Sequence, residues 1–400
     1  MSAAAVRERA AEMLAAGLAG ALPHFVIDLD RLMPIAEFVA DVIGANYPSL
    51  RVPLHARWRH FVLGGRDLWR ELAASARWRD RSSRARAEFD LAVISVLLDA
   101  GAGAAWRFHD EASGLTVSRS EGLALASLRM FAAGLFSNDP DDPLRADASR
   151  LAALTGTDLA HGFGAGSANP LEGLEGRAAV LARLGRAMLA APSVFARHDT
   201  ARPGGLIDHF VNLAGGAEFP APRILRELLI HLGPIWPSRQ TLGGIVLGDC
   251  WRHPAIRRDD ASDGLVPLHK LSQWLCYSLI DPLRAAGFDV TEIDGLTGLA
   301  EYRNGGLLLD MGVLRLRDPA QAERPHAVDS LLIVEWRALT VALLDRLLPL
   351  VRGMLDVSAQ DFPLGAMLEG GTWTAGRRIA AAKRADGGPP LSIVSDGTVF

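Results

Sequence analysis

The sequence predicts a mainly α-helical protein with a few short strands or hairpins. In most segments the apolar residues recur at three- and four-residue spacing, which is the period of a helix with one buried face. Strands are expected only locally, for example as a strand pair within residues 106–118. A chain of 400 residues, of which 49% are apolar, is long enough to bury a sizeable core without disulfides.

Helices are predicted along the whole chain from apolar stripes and end signals. The first, at residues 3–18, is rich in alanine and amphipathic. We expect the last long one to begin at a cap formed by Asp329 and to run through Arg352. From Leu331 to Leu344 every residue is apolar except Glu335, Arg337 and Thr340. Asp263 is the expected cap of the helix that starts near Pro267. The predicted helices between these ends span residues 30–43, 67–77, 88–98, 121–136, 171–189, 222–232 and 267–282.

The chain contains no internal repeat and no low-complexity linker, which favours one compact unit over residues 1–400. Within it we expect an N-terminal helical part at 1–150 and a C-terminal helical part at 151–400 that carries the site. A turn-rich break, Asn-Asp-Pro-Asp-Asp-Pro at residues 138–143, precedes this boundary.

Charge and composition exclude several classes of protein. The net charge of -4 predicts no nucleic-acid partner, because phosphate binding needs a basic face. No apolar run approaches the roughly 18 residues of a membrane span, and residues 3–18 lack the features of a secretory signal. Cys250 and Cys276 are the only cysteines, so no disulfide framework is expected. We therefore expect a soluble, cytoplasmic protein.

Acids and glycines are concentrated in the stretch from Asp294 to Asp310, between apolar runs. It contains Glu301, Tyr302 and Arg303, and its glycines allow close approach of the backbone to a ligand. Two interpretations stay open. The stretch is a functional loop, or it is a β-hairpin that turns at Asn304-Gly305 with its acids in solvent.

The helix from residue 329 contains charges where burial is expected. Glu335 and Arg337 interrupt an otherwise apolar run, and they are two residues apart, so they point to different faces and cannot pair with each other. Since a buried charge needs a partner, each must reach another segment. A structural ion-pair network and an active site both satisfy this requirement.

On the helix from Pro267, four residues share one face: Lys270, Gln273, Trp274 and Tyr277. The face is either exposed surface or the lining of a pocket for a flat polar ligand, in which the aromatic rings stack and the amide forms hydrogen bonds.

The segment Arg57-Trp58-Arg59-His60 also has two interpretations. Its arginines can hold an anion, or the segment is a helix edge whose Trp58 packs inward. The eleven histidines show no metal-ligand spacing, so neither a metal nor a cofactor is expected. The glycine-rich residues 162–169 do not follow a strand, so their likeness to a dinucleotide-binding loop is superficial.

Five motifs resemble the Urc/Urg family of uracil-catabolism or uracil-regulated proteins. The resemblance covers almost the whole chain and implies a step in pyrimidine breakdown by a route that releases urea. The motifs are Trp58-Arg-His-Phe61, Val266-Pro-Leu-His-Lys270-Leu-Ser-Gln273-Trp-Leu, Glu301-Tyr-Arg-Asn-Gly-Gly306, Leu368-Glu-Gly-Gly-Thr-Trp373 and Ser395-Asp-Gly-Thr-Val-Phe400.

The C-terminal third is similar, more distantly, to the queuosine-nucleoside salvage glycosylases. That family has a Lys-x-x-Gln helix, an Asp-Tyr-Arg loop and a Glu-x-Arg-Ala helix. Here the same order appears as Lys270 and Gln273, then Glu301-Tyr302-Arg303, then Glu335-Trp-Arg337-Ala338. Glu replaces the family's Asp, and Asn-Gly-Gly replaces its Val-Pro-Gln. The resemblance implies a large helical unit related to helix-hairpin-helix glycosylase folds.

Together the two resemblances imply hydrolysis of the N-ribosyl bond of a ribosylurea-type molecule to urea and ribose or ribose phosphate. Glu301 is the expected catalytic carboxylate, with Asp294 or Asp310 as a second acid. We expect Arg303 and Arg337 to keep Glu301 ionised. The expected substrate-binding residues are Lys270, Gln273, Trp274, Tyr302, Arg303, Glu335, Arg337, Arg57, Trp58 and His60.

Two other functions stay open. A non-catalytic scaffold or sensor would bind intermediates of pyrimidine breakdown without turnover. A ureido amidohydrolase would usually need a metal or a cysteine nucleophile. Cys276 lies between apolar neighbours and is typical of an inert core thiol. The oligomeric state and the phosphorylation of the substrate are left open by the sequence.

Overall fold

The computed structural model describes residues 2–103, 105–197, 200–236 and 240–394, and within them the protein is mainly α-helical, as predicted. The helices are α1 Ala3–Leu18, α2 Leu32–Asn46, α3 Leu68–Ser75, α4 Arg81–Leu97, α5 Arg119–Ala132, α6 Ala148–Ala152, α7 Gly156–Gly162, α8 Leu174–Ala190, α9 Pro192–Phe195, α10 Gly205–Ala214, α11 Ala221–His231, α12 Lys270–Ala285, α13 Tyr302–Asp310, α14 Leu331–Leu355, α15 Leu364–Met367 and α16 Trp373–Lys383. A π-helical turn, Leu368–Thr372, joins α15 to α16, and 3-10 turns occur at Leu29–Arg31, Arg57–Phe61, Gly233–Ile235, Ile293–Gly295 and Pro319–Glu323.

The strands are short and occur in pairs. The strand pair expected within residues 106–118 is confirmed as Phe108–Asp110 against Leu115–Val117. Residues 395–400, which form the last family motif, lie outside the described residues. The other antiparallel pairs are Phe25–Ile27 with Leu314–Leu316, Val62–Leu63 with Arg66–Asp67, Ala196–Arg197 with Thr200–Ala201, Thr241–Leu242 with Ile245–Val246, and Cys250–Arg252 with Leu265–Pro267; the parallel pairs are Glu218–Pro220 with Asp289–Thr291 and Pro325–Ala327 with Ser392–Val394.

The chain divides into two compact units, each assembled from separate stretches of sequence. Among the described residues, the first unit comprises 2–55, 240–273 and 292–394, and the second comprises 56–236 and 274–291, with the gaps given above. The boundary within α12 falls between Gln273 and Trp274. The predicted parts 1–150 and 151–400, and the relation to helix-hairpin-helix glycosylase folds, stay predictions.

In the first unit, α1 and α2 pack against the long helix α14. The predicted helix at residues 3–18 is confirmed, and its buried residues include Val6, Ala10 and Met13, which form one apolar stripe. Ser330 caps α14 by accepting the N–H of Ile333, so the prediction of Asp329 as the cap was wrong by one residue. From Leu332 to Leu344 every residue of α14 is buried, as its apolar sequence predicts.

Of the two interpretations of residues 294–310, the hairpin at Asn304-Gly305 is wrong, because Tyr302–Asp310 is the helix α13. Its glycines serve close packing between helices. A Cβ atom on Gly305 would lie 2.7 Å from Nε1 of Trp336 on α14, whose indole donates to the carbonyl oxygen of Gly305 at 3.0 Å. On α16, a Cβ atom on Gly376 would lie 2.3 Å from the carbonyl oxygen of Arg303 on α13. A real Cβ atom does not approach other heavy atoms this closely, so both positions require glycine.

In the second unit, α6 and α7 pack against α8, and α5 packs against α4. The buried carboxylate of Asp90 on α4 joins two loops to this helix. It accepts the N–H of Ala146 at 2.9 Å and the N–H of Gly204 at 2.6 Å, and it pairs with the guanidinium of Arg202. A satisfied buried carboxylate of this kind connects segments that are distant in sequence.

We expect Gly376→Ala to lower the free energy of unfolding by about 1–3 kcal/mol, because the added methyl group meets backbone atoms that cannot move aside. Denaturant unfolding of purified protein measures this change. Gly353→Ala on α14 is the matched control: no atom lies within 4 Å of its Cβ position, so this variant should be at least as stable as the wild type. Equal stability of the two variants would contradict the packing interpretation.

Candidate functional site

The buried charges of α14 each contact another segment, as the sequence predicts. Arg337 forms a two-pronged ion pair with Asp249, with Nη1 at 2.7 Å from Oδ1 and Nη2 at 2.8 Å from Oδ2. Oε1 of Glu335 lies 2.9 Å from Nδ1 of His24 and 3.0 Å from Nε2 of His253. Because Nδ1 of His253 accepts the N–H of Ala255, its Nε2 carries the proton and donates to Glu335.

Asp249 holds the start of α12. Its Oδ2 accepts the N–H of Lys270 at 2.9 Å, and its backbone oxygen accepts the N–H groups of Leu268 and His269. Burial alone would raise the pKa of Asp249, but the charge and hydrogen bonds of Arg337, with the N–H of Lys270, lower it well below the usual range. The cap predicted at Asp263 is therefore wrong: the carboxylate that serves the first turn of α12 comes from a residue far from it in sequence.

Arg337 also connects this corner to the start of α13. Its Nε donates to the carbonyl oxygen of Ala300 at 3.2 Å, and the next residue, Glu301, is the N-cap of α13. One guanidinium group thus positions the residue before Glu301 and, through Asp249, the first residue of α12. Glu301 and Lys270 are set in place by the same buried ion pair.

Glu301 is buried, with 7% of its surface exposed. Its carboxylate accepts the N–H of Arg303 at 2.7 Å and the N–H of Asn304 at 2.6 Å. Burial raises the pKa of Glu301, and these hydrogen bonds, together with the positive charges of Lys270 and His55, offset part of that increase. The result is a buried carboxylate with increased basicity, on which Lys270 and His55 act electrostatically.

A histidine–carboxylate pair adjoins this group. Nδ1 of His55 lies 2.7 Å from Oε2 of Glu369, and the imidazole packs against the ring of Trp373 at 5.9 Å. Glu369 and Thr372 belong to the π-helical turn Leu368–Thr372, a rare conformation that occurs frequently at functional sites. The contact with Glu369 fixes the orientation of the His55 ring.

Three buried polar atoms without a hydrogen-bond partner among the described residues lie near these side chains in sequence: Nε2 of His269, Oδ1 of Asn304 and Oγ1 of Thr372. They are adjacent to Lys270, three residues after Glu301 and three residues after Glu369, respectively. Buried polar groups are nearly always paired in folded proteins, so each requires an explanation. A bound polar ligand is one explanation that would supply such partners.

His269 carries a further signal. Its φ of 49° lies in the left-handed region, which is costly for a residue other than glycine and occurs often at functional sites. Burial lowers the pKa of His269 to about 4, so its imidazole is neutral at physiological pH. A neutral imidazole next to Lys270 can donate or accept a hydrogen bond without adding charge.

Other predicted site residues of the first unit have structural partners. Arg303 donates to the carbonyl oxygen of Gly387 at 2.9 Å, and its guanidinium lies 4.8 Å above the half-buried ring of Tyr302. The charge of Lys270 and, more weakly, that of His55 lower the pKa of Glu301. The expectation that Arg303 and Arg337 keep Glu301 ionised stays a prediction. Gln273 is fully buried, and its amide accepts the N–H of Thr297 at 2.9 Å.

The two aspartates expected as a second acid take part in ion pairs. Asp294 lies 2.5 Å from Nη2 of Arg352 and accepts the N–H of Leu364 at the start of α15. Asp310 is held by both terminal nitrogens of Arg384, at 2.8 and 2.5 Å. These contacts favour a structural role for both carboxylates.

The remaining predicted residues, Arg57, Trp58, His60, Trp274 and Tyr277, lie in the second unit and are buried. Arg57 pairs with Asp99 at 2.9 Å, and burial lowers the pKa of its guanidinium. The indole of Trp58 donates to the carbonyl oxygen of Ser278 at 2.6 Å, and the ring of His60 contacts that of Trp274 edge-on at 5.6 Å. The inward-packing interpretation of this segment is confirmed, and the exposed-surface interpretation of Trp274 and Tyr277 is wrong.

Four residues of this site were not predicted from the sequence: Asp249, His269, His55 and Glu369. Glu369 and His269 lie inside two of the family motifs, and this position was the available signal. No sequence signal indicated Asp249 or His55, because each of them meets its partner only after distant segments come together.

Neither cysteine has the character of a nucleophile. Burial, with a contribution from the charge of Asp249, raises the pKa of the Cys250 thiol to about 12, and burial raises the pKa of Cys276 as well. Among the described helices, none is both long and apolar enough to cross a membrane.

Residues 1–400 match the protein family described as "Protein of unknown function (DUF1688)". The chain belongs to this family. Uracil catabolism protein 4 of Lachancea kluyveri is 38% identical over 412 residues, covering 94% of this chain and 92% of that protein. Protein urg3 of Schizosaccharomyces pombe is 39% identical over 407 residues, covering 99% of this chain and 96% of that protein. The resemblance of this DUF1688 chain to the Urc/Urg proteins is confirmed.

Arg337→Met should lower the free energy of unfolding by about 3–5 kcal/mol, because it leaves the buried carboxylate of Asp249 without its counter-charge. Arg346→Met on the same helix is the matched control, since Arg346 is exposed and its replacement should change stability by less than about 0.5 kcal/mol. Denaturant unfolding compares the two. A loss for Arg337→Met no larger than that of the control would show that the pair does not organise this unit.

Proposed function

We propose that this protein acts in uracil catabolism, and that it hydrolyses the N-ribosyl bond of a ribosylurea-type molecule. The names of its full-length relatives support the first part, since one is called uracil catabolism protein 4. The observation that carries the second part is the buried carboxylate of Glu301, on which the side chains of Lys270 and His55 act electrostatically.

The reaction needs an anion beside the sugar. When the bond between the anomeric carbon and nitrogen breaks, positive charge develops on the ribose ring. An ionised Glu301 would stabilise that charge, and in a buried site this effect is much larger than in water. The raised pKa of Glu301 also makes it a stronger base, so it can take a proton from the attacking water.

The departing nitrogen needs a proton. The electron pair of the broken bond stays on the urea nitrogen, the water oxygen adds to the anomeric carbon, and one water proton passes to Glu301. Asp294 and Asp310 were the expected donors, but both are held in ion pairs. In this proposal His55, oriented by Glu369, donates the proton instead, and Lys270 orients the urea carbonyl.

A ureido amidohydrolase with a cysteine nucleophile receives no support from the fold. Cys250 and Cys276 are buried, and the pKa of each thiol is raised, so neither forms a thiolate near neutral pH. A scaffold or sensor would use the same cluster of polar groups to bind a ligand without turnover. The assays below separate that role from catalysis.

Purified protein incubated with ribosylurea, with and without a 5′-phosphate, should release urea. Glu301→Gln should lower kcat by roughly 10²–10⁴-fold, the usual contribution of a general acid or base. Glu301→Asp is the sharper variant. Aspartate is a favoured N-cap, so α13 keeps its cap and its charge, but the carboxylate is one methylene short of the sugar.

We expect Glu301→Asp to unfold at nearly the wild-type denaturant concentration and to lose most of its activity. Glu323→Gln, at an exposed glutamate of the same unit, should behave like the wild type in both assays. Full activity in Glu301→Asp would leave Glu301 with a capping role only. Binding of ribosylurea without urea release, in every form of the protein, would favour the sensor.

The pH dependence of kcat/KM should report the ionisation of Glu301. Activity should fall as pH decreases through the pKa of Glu301, which burial places above the ordinary 4.5. Since the charge of Lys270 lowers this pKa, Lys270→Gln should raise it and move the acid limb to higher pH. Lys383→Gln, at the exposed other lysine, should leave the limb unchanged. An unmoved limb in Lys270→Gln would separate Lys270 from Glu301.

A further inference from the structure

The second unit contains a cluster of two histidines and a glutamate that the proposed reaction does not use. His209 lies on α10, and Glu227 and His231 lie one turn apart on α11. Residues four apart on a helix face the same side, and α10 brings the third side chain to them. The spacing of histidines along the sequence gave no sign of this group.

The three side chains converge on one oxygen atom. Oε2 of Glu227 lies 3.0 Å from Nε2 of His209 and 3.3 Å from Nε2 of His231. The two imidazole rings are 5.1 Å apart and nearly perpendicular, at 88°. Each of the three residues offers one possible ligand atom, and these three atoms all lie within 4.8 Å of one another.

These separations match those of metal ligands. In a tetrahedral zinc site with bonds of roughly 2.0–2.1 Å, neighbouring ligand atoms are roughly 3.3–3.4 Å apart. The two nitrogen-to-oxygen distances, 3.0 and 3.3 Å, lie at or slightly below that spacing. Two histidines and one carboxylate are also an established ligand set for zinc and for other divalent transition metals.

The surroundings suit a site that an ion can enter. The side chains of His209, Glu227 and His231 are 16%, 11% and 20% exposed, so they are ordered by packing but not sealed from solvent. The ring of Phe195 contacts His231 edge-on at 6.2 Å, and the ring of Phe210 lies 6.1 Å from that of His209. An apolar shell of this kind restricts the ligand rings and limits the access of water to the site.

We propose that His209, Glu227 and His231 bind one divalent transition-metal ion of the zinc class, with water at the remaining position. Each imidazole binds the ion through the lone pair of Nε2, so its proton lies on Nδ1. In the alternative, a hydrogen-bonded triad without metal, both Nε2 atoms carry protons and donate to Glu227. The two states therefore differ in histidine tautomer as well as in metal content.

The experiment uses the full-length chain without a histidine tag, stripped with a chelator and then titrated with zinc against a chromophoric competitor. Wild-type protein should take up one equivalent of zinc at this site. Glu227→Gln and His231→Gln preserve size but remove a ligand, and each should weaken zinc binding by more than about 100-fold, the upper limit for loss of an outer-shell partner. His161→Gln is the matched control, because His161 is an exposed histidine of the same unit.

Cobalt substitution and nitrogen NMR provide readouts that are independent of activity. Cobalt(II) bound by the wild type should give the visible bands of a low-symmetry site with nitrogen and oxygen ligands, and zinc should move the His209 and His231 protons to Nδ1. Circular dichroism of the stripped variants checks that they fold, and His209→Gln serves as a further variant if one of the others does not.

Absence of stoichiometric zinc binding by the wild type would overturn the proposal. So would equal zinc affinity of the wild type and all folded ligand variants. Either result would identify the cluster as a hydrogen-bonded triad that joins α10 to α11. Weaker binding by the ligand variants, with no change in His161→Gln, would establish the site.

Discussion

The arrangement of the first unit depends on the buried ion pair between Arg337 and Asp249. Two charges of opposite sign inside a core are tolerated only when geometry and additional hydrogen bonds compensate for the loss of water. Here the compensation connects segments that are far apart in sequence: Asp249 accepts the N–H of Lys270, and Arg337 donates to the carbonyl oxygen of Ala300, next to Glu301. The same bonds that make the charges acceptable place a lysine and a glutamate in fixed positions, so stability and site geometry have one physical origin.

Glu301 combines two functions of a carboxylate that oppose each other. As the N-cap of α13 it satisfies two backbone N–H groups at the positive end of a helix, which favours its ionised form. Its burial favours the protonated form, and burial prevails, so its pKa is raised. A carboxylate that served only as a cap would be equally effective at the surface. The neighbouring Lys270, the pair of His55 and Glu369 on a π-helical turn, and the strained His269 set this N-terminus apart from an ordinary helix start.

The expectations were correct where they follow from a local property of the sequence or from the cost of an unpaired buried charge. They were ambiguous or incorrect where the tertiary contacts decide. Periodicity predicted the helices well, because burial of one face is a local property of the sequence. Charge inside an apolar run predicted that Glu335 and Arg337 reach other segments, because an unpaired buried charge is too costly. The glycines at 305 and 306 were ambiguous, since glycine serves a turn and a close helix contact equally well, and only the approach of Trp336 to Gly305 distinguishes the two. Arg303 was expected to keep Glu301 ionised. Its side chain donates to the carbonyl oxygen of Gly387, and its effect on Glu301 stays a prediction.

The sequence by itself determined the mainly helical fold, the family and the positions of Glu301 and Lys270 within its motifs, because these follow from patterns that a few neighbouring residues carry. Only the tertiary structure decided which residues meet: Asp249 with Arg337, His55 with Glu369, and His209 with the face of α11 that presents Glu227 and His231. Each of these contacts joins separate segments of the chain, and no pattern in the sequence indicates that these segments meet. The choice among many compatible partners is made by packing, which is a property of the whole unit.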